Sequence, residues 1–198
     1  MFNWLKKFRQ KDNNPYHRYL NLPVNPGVDL FEMFPGEEDR LRHKQLDRSV
    51  IDPKFFEFFE QFDMQFPWIE AFYTPPFGKL WIHLDTDGYS DSAKINWTYC
   101  KAPGTEMRWW TIDDPKNLDP IDTQFGMRYH KADEDHCTMV FKREINKPSI
   151  VQVGELHSTF NPTPYGRWTL SLSVVDKYSP RRLTFKETCD IFNDYITS

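Results

Sequence analysis

Hydrophobic and polar residues alternate along much of the second half of the chain, in short runs that turn sequences separate. Alternation of this kind, rich in β-branched and aromatic residues, is typical of β-strands. Turn signals lie between the runs, for example Asp-Gly at 87–88 and Ala-Pro-Gly at 102–104. The pattern predicts strands over residues 79–84, 93–100, 106–111, 138–144, 149–153 and 167–175.

Two segments follow the helical period instead. Asp52 and Pro53 suit the N-cap and the first helical position, and five phenylalanines between residues 55 and 62 form an apolar face. Thr184 and Glu187 have the spacing of a capping box. We therefore predict helices at about 53–64 and 185–196, the first of them packed on the outside of a sheet.

Many short strands without intervening helices indicate an antiparallel sandwich or barrel. The length of 198 residues suits a single domain with a sizeable core. An aromatic content of 17%, with seven tryptophans, favours a β-rich core. The expected fold class is mainly β.

Two histidines and one carboxylate fall where strands would bring them together. His83 and Asp85 are two residues apart, so in a strand both point to one face, together with Trp81. His157 follows the apolar run at 149–153 and lies at a strand end. Two histidines and a carboxylate are the ligands of the facial triad that binds non-haem Fe(II) and leaves coordination positions open.

Arg167 begins the last predicted strand, after a turn-rich link at 161–166. An arginine guanidinium can pair bidentately with a carboxylate held at the open metal positions. Thr169 lies on the same side of the strand as Arg167 and can add a hydrogen bond.

The order of these parts resembles that of the Fe(II)/2-oxoglutarate-dependent oxygenases, particularly the prolyl-hydroxylase-like and phage-encoded members, over roughly residues 75–176. The resemblance implies a double-stranded β-helix, the cupin-like jelly roll, with Fe(II) inside the barrel. It implies that His83, Asp85 and His157 are the metal ligands, and that 2-oxoglutarate chelates the iron through its 2-keto acid end.

The resemblance also implies how the cosubstrate is held. Arg167 would bind the far carboxylate of 2-oxoglutarate, and the Arg-x-Thr pair that it forms with Thr169 resembles the Arg-x-Ser of many family members. Asn96 occupies a position similar to the family's frequent asparagine on the strand after the first ligands. It faces either 2-oxoglutarate or the core.

The activity that the resemblance implies is hydroxylation of a C–H bond, coupled to decarboxylation of 2-oxoglutarate to succinate and CO2. The acceptor is not readable from the sequence: a protein side chain, a free amino acid and a small metabolite are all compatible. Ascorbate is compatible as an additional cofactor.

Two segments stand apart from the predicted core at 75–176. Residues 1–48 are rich in proline and charge and are expected to form an extended arm on a single domain. Residues 112–137 are polar, contain Pro115 and Pro120, and form an insertion between core strands. Its central apolar residues predict a lid over the iron that contacts the acceptor; they are Phe125, Met127 and Tyr129.

Plainer interpretations stand beside these. His83 is also compatible with a hydrogen-bonded core histidine, and Asp85 with a cap of the turn at 87–88. A zinc site at His130, His136 and Cys137 is an alternative to a solvated acidic loop there, which lacks a second cysteine at ligand spacing. For the whole protein, the alternatives are a non-catalytic jelly-roll binding or virion protein and a cupin metalloenzyme that uses no 2-oxoglutarate.

Charge and composition narrow the class of partner. A net charge of −4 and a pI near 5.9 argue against a general nucleic-acid or anionic-membrane binder. No apolar run is long enough for a transmembrane helix. Three cysteines without CxxC spacing predict reduced thiols and a cytoplasmic location, in the host cytoplasm if the protein is phage-encoded.

Overall fold

Strands dominate the computed structural model, which describes residues 14–35, 39–85, 90–122, 128–179 and 181–197. The α-helices are α1 (Leu30–Met33), α2 (Pro53–Glu60) and α3 (Phe185–Ile191). The strands are, in chain order, β1 (His17–Leu20), β2 (Arg42–Gln45), β3 (Met64–Gln65), β4 (Ile69–Thr74), β5 (Ile82–Leu84), β6 (Ala93–Cys100), β7 (Glu106–Ile112), β8 (Leu118–Asp122), β9 (Arg128–Ala132), β10 (Cys137–Glu144), β11 (Ser149–Gln152), β12 (His157–Phe160), β13 (Arg167–Ser173), β14 (Val175–Asp176) and β15 (Ile196–Thr197).

Two antiparallel sheets form the body of the protein. The larger has the order β15-β1-β11-β6-β13-β4-β2, and the smaller has the order β10-β7-β12-β5-β9-β8. Strands consecutive in the chain repeatedly pass from one sheet to the other, which is the connectivity of a double-stranded β-helix. The predicted fold class is confirmed, and each of the six predicted strands is present.

The central strand β13 is buried on both of its faces. Trp168, Leu170 and Leu172 belong to the hydrophobic core, whereas the intervening residues, such as Arg167 and Thr169, line the space between the sheets. The predicted alternation of apolar and polar residues is therefore present in β13, and its polar residues face the interior of the barrel. Its apolar side needs a cover on the outside of the larger sheet.

Helices α2 and α3 provide that cover. Asp52 caps α2 through its side chain, and the predicted capping box of Thr184 and Glu187 is present at α3. Phe55 packs on Trp97 of β6, with ring centroids 5.1 Å apart. Both helices end earlier than predicted. The chain turns at Asp63, whose φ of 54° is left-handed, and a 3-10 turn and β15 follow α3.

The N-terminal segment is more than an arm. Strand β1 pairs with β11 and β15, and β2 pairs with β4, so both complete the larger sheet. These strands were not predicted from the sequence, and neither was β4, which pairs with β13. Strand β4 is buried on both faces, and Phe72, between Glu70 and Thr74 on the inward face, interrupts the polar–apolar alternation that would reveal it. Residues 1–13 lie outside the described residues.

The segment 112–137, which the sequence indicates as an insertion between core strands, has strands of its own. It contains β8 and β9, and β9 pairs with β5 in the smaller sheet. Strand β8 lies at the sheet edge, where Pro120 is tolerated because an edge strand has unpaired positions. Tyr129 lies on β9, whereas Phe125 and Met127 fall outside the described residues. A lid function for the segment remains a prediction.

The three cysteines Cys100, Cys137 and Cys189 are free thiols, as predicted. Among the described residues, no helix has the length and apolar character that crossing a bilayer requires.

Replacing Trp168 by alanine tests the role of the outer core. Trp168 is 2% exposed, and its ring lies 5.0 Å from the rings of both Tyr73 and Phe34. The cavity left behind should lower the free energy of unfolding by about 3–5 kcal/mol, measured by urea denaturation. Tyr178→Ala is the control, because Tyr178 is 78% exposed and its loss should cost within about 0.5 kcal/mol. Equal losses in the two variants would contradict this account.

Candidate metal centre

His83, Asp85 and His157 meet in the smaller sheet, as the sequence predicts. Strand β12 pairs with β5 so that His157 lies directly opposite His83, and Asp85 directly follows β5. Asp85 Oδ1 is 3.2 Å from His83 Nε2 and 3.8 Å from His157 Nε2. All three side chains are buried, and their donor atoms lie within 4.8 Å of one another. This is the geometry of a group that can hold one metal ion.

Both imidazole rings are oriented for ligation by backbone hydrogen bonds. His83 Nδ1 lies 2.9 Å from the carbonyl oxygen of Trp81, and His157 Nδ1 lies 2.9 Å from that of Glu155. A carbonyl oxygen can only accept, so each Nδ1 donates this hydrogen bond, and each Nε2 is the nitrogen that lies near Asp85 Oδ1. Such a bond from the second ring nitrogen is the usual arrangement of a metal-ligating histidine. The residues present therefore fit a divalent metal.

The protonation states of the donors also suit a metal. Burial, with a contribution from the neighbouring His83 ring, lowers the pKa of His157 to about 3, so the ring is neutral at neutral pH. Burial alone would raise the pKa of Asp85, but the Lys94 ammonium and the two histidines hold it well below its usual range. Metal ligands must be deprotonated, and both of these groups are.

A buried lysine that was not predicted from the sequence lies beside the triad. Lys94 Nζ lies 2.7 Å from Asp85 Oδ2 and 2.9 Å from Glu70 Oε2, and Glu70 Oε1 lies 2.9 Å from His43 Nε2. Burial would lower the pKa of Lys94, but the two carboxylates raise it, so Lys94 is charged. Its orientation could have been predicted from the sequence, because Lys94 lies two residues before Asn96 on β6 and so points to the same face of the strand.

A narrow cavity of about 50 Å³ lies between the sheets beside the triad. Its wall includes all six residues predicted for the site, namely His83, Asp85, Asn96, His157, Arg167 and Thr169, together with Lys94 and Ser171 among others. Asn96 Oδ1 accepts a hydrogen bond of 2.8 Å from Ser171 Oγ. Asn96 therefore faces this cavity rather than the hydrophobic core.

Arg167 is the most unusual group in the cavity wall. It is 1% exposed, and no carboxylate among the described residues pairs with its guanidinium. Nη2 donates a 3.3 Å hydrogen bond to Thr98 Oγ1, and Nε is buried with no hydrogen-bond partner in the part of the chain that the structure describes. Burial lowers the pKa of Arg167 to about 10, which still leaves it charged at neutral pH. An unpaired buried charge is costly, so an anion bound beside Arg167 would be stabilised.

The alternative zinc cluster does not form. His130 lies on β9 opposite Leu84, whereas Cys137 begins β10 at the other edge of the smaller sheet. Across the described parts of the chain, no group of three or more His, Cys, Asp or Glu residues other than the triad has its donor atoms close enough to hold a metal.

No family model matches the sequence, and no curated protein matches it. Among solved structures, the chain is similar to oxalate oxidase in complex with the substrate analogue glycolate, with a TM-score of 0.35 and 9% identity over 85% of this chain and 77% of that one. It is also similar to Peruvianin-I, a cysteine peptidase from Thevetia peruviana latex, with a TM-score of 0.33 and 12% identity over 85% of this chain and 93% of that one. Likenesses this weak carry no argument about function, and the fold assignment follows from the strand order.

The neutral ring of His157 should make the stability of the metal-free protein depend on pH. Its pKa is about 3 in the fold and about 6.5 in the unfolded chain, so the unfolded state binds more protons between these values. The free energy of unfolding should therefore fall as the pH is lowered through this window, by up to about 1.4 kcal/mol per pH unit. Urea unfolding between about pH 7 and pH 4 measures the slope. His157→Gln should show a shallower slope, and identical slopes would refute the assignment.

Proposed function

We propose that this protein is an Fe(II)- and 2-oxoglutarate-dependent oxygenase that hydroxylates an acceptor and releases succinate and CO2. The observation that carries the proposal is the buried Arg167, which lines the same cavity as the triad and has no carboxylate partner among the described residues. A triad alone suits several metalloenzymes. A triad together with an unpaired arginine suits a ligand that binds the metal at one end and carries a carboxylate at the other.

His83, Asp85 and His157 would hold the iron through two Nε2 atoms and one carboxylate oxygen. Bound iron would supply activation of dioxygen and of the 2-oxo acid at its open positions. Lys94 contributes by binding Asp85 Oδ2, which leaves only Oδ1 directed towards the histidines. Asp85 would thereby offer a single oxygen, Oδ1, to the metal.

Arg167 would bind the distal carboxylate of 2-oxoglutarate at the inner end of the cavity. Its fork of N–H groups matches a carboxylate, and Thr169, two residues along the same face of β13, adds a hydroxyl donor. Asn96, held by Ser171, offers its amide group to the same ligand. These groups orient the cosubstrate, and their burial excludes water from it.

The segment 112–137 is proposed to cover the metal side of the site. Tyr129 on β9 lies edge-on to the His83 ring, with centroids 5.6 Å apart, so this part of the segment already contacts a triad residue. The acceptor would approach from this side.

Replacing His83, Asp85 or His157 by alanine should weaken Fe(II) binding by at least 10-fold, because even changes to residues behind the ligands cost about 10–100-fold. Anaerobic titration with Fe(II) measures the affinity. His130→Ala is the matched control and should bind iron like the wild type. Retained affinity in His157→Ala, together with loss in His130→Ala, would show that the wrong histidine is assigned.

Arg167→Ala should weaken 2-oxoglutarate binding by about 2–5 kcal/mol, because it removes one partner of a buried charge pair, and it should leave metal affinity near wild type. Anaerobic addition of Fe(II) and then 2-oxoglutarate gives a visible charge-transfer band that reports the binding. Arg167→Lys should rescue only in part, because a point charge cannot make the bidentate contact.

Unchanged 2-oxoglutarate binding in Arg167→Ala would overturn the assignment of the cosubstrate. A wild-type protein that binds iron but gives no band with 2-oxoglutarate would support a cupin-type metalloenzyme that uses no oxo acid. A protein that binds neither would support a non-catalytic jelly roll.

A further inference from the structure

A second cavity, of about 200 Å³, is also lined by the His83 side chain. We call it the side cavity. Its walls are Leu41, Arg42, His43, Tyr73, Trp81 and Tyr129. It shares His83, Phe72, Thr74 and Leu80 with the cavity that contains Arg167. The two spaces therefore meet at the candidate metal centre.

The sizes of the two cavities decide what each can hold. The inner cavity offers about 50 Å³, which is room for a few water molecules, so one slender ligand fills it. An oxygenase must also place an acceptor beside the metal. The side cavity is larger than the ~150 Å³ of an engineered apolar cavity that takes up benzene. It therefore has room for one ring or one branched side chain.

The walls of the side cavity are mainly aromatic. The Trp81 ring lies 6.4 Å from the His83 ring, and Trp81 is 41% exposed, which is unusual for a side chain so large and apolar. Phe72 of β4 is stacked against His43 of β2, with ring centroids 4.6 Å apart and an angle of 9° between the ring planes. The hydrogen bond of His43 to Glu70 fixes that pair. Rigid aromatic walls favour an apolar group.

Tyr129, one of the wall residues, has a polar atom without a partner among the described residues. The Tyr129 hydroxyl is buried, makes no hydrogen bond to any described residue, and lies close enough to Lys94 and Asp85 to interact with their charges. A buried hydroxyl without a partner is costly and is usually satisfied by a ligand or by water. A ligand with a hydrogen-bond acceptor near the metal would satisfy it.

We propose that the side cavity binds the acceptor, and that the acceptor presents a compact apolar group the size of one ring, with a hydrogen-bond acceptor that meets Tyr129. The assignment of this ligand as the acceptor rests on the proposed function. The binding of such a group to the cavity does not depend on it.

Two fluorinated probes test the cavity by fluorine NMR on the full chain. Fluorobenzene and 4-fluorophenol should both bind the wild type. Leu41→Trp should weaken both probes by at least 10-fold, because the larger indole side chain occupies the apolar space that the probes need. Leu22→Trp is the matched control, because Leu22 lines a separate groove beside Trp97. It should bind both probes like the wild type. Absent binding to the wild type, or unchanged binding to Leu41→Trp with wild-type unfolding, would overturn the proposal.

Tyr129→Phe tests the hydroxyl contact. The affinity for 4-fluorophenol should fall about 2- to 10-fold, the usual worth of one hydrogen bond, while the affinity for fluorobenzene should not change. An unchanged ratio of the two affinities would overturn the hydrogen-bond part of the proposal.

Mn(II) separates failure of the cavity from failure of the proposed function. One equivalent of this paramagnetic ion should broaden the fluorine signal of bound fluorobenzene in the wild type but not in His157→Ala. Bound Mn(II) without broadening would place the probe away from the metal and overturn the inference. If the triad binds no Mn(II), the proposed function fails. Loss of probe binding in Leu41→Trp would still support the cavity as an apolar binding site.

Discussion

The ion pair between Lys94 and Asp85 is the interaction on which the interior of this protein depends. A buried carboxylate costs several kcal/mol unless a charge and hydrogen bonds compensate it. Lys94 supplies both at 2.7 Å, and Glu70, bonded in turn to His43, balances the lysine. Without this chain of charges, burial would drive Asp85 towards its neutral form, and the two histidines would face a group that no longer prefers a cation.

A charged interior is tolerated only because the hydrophobic core lies elsewhere. On β6 and β13 the apolar residues face outwards, where α2 and α3 cover them, so burial of Trp97 and Trp168 stabilises the sheet from outside the barrel. The inward positions are thereby free to be polar. Arg167 can remain buried without a carboxylate partner among the described residues, because the stability supplied by the outer core compensates the cost of burying its charge. Fold stability and site chemistry thus occupy opposite faces of the same strands.

This division explains what could be predicted from the sequence. Strands with two different faces show alternation, so β6 was predicted with its observed bounds, and the parity of His83, Asp85, Arg167 and Thr169 followed from it. On the inward face of β4 the apolar Phe72 lies between Glu70 and Thr74 and interrupts the alternation, so the strand went unnoticed, and with it Glu70. Lys94 was missed because its role depends on which residues of β4 and β5 lie across the barrel. Periodicity in one strand carries no information about the register of another.

The two cavities that meet at His83 differ in polarity, and this difference sorts ligands without any moving part. The side cavity is mainly aromatic, and Arg42 is its one strongly basic wall residue among those described, whereas beside the fully buried Arg167 a dicarboxylate removes an existing charge imbalance. An apolar group has the opposite preference, because in the inner cavity it would leave the buried N–H donors of Arg167 and Asn96 without a hydrogen-bond acceptor. In the proposed function, 2-oxoglutarate therefore binds in the inner cavity and the acceptor in the side cavity. The His83 side chain lines both cavities.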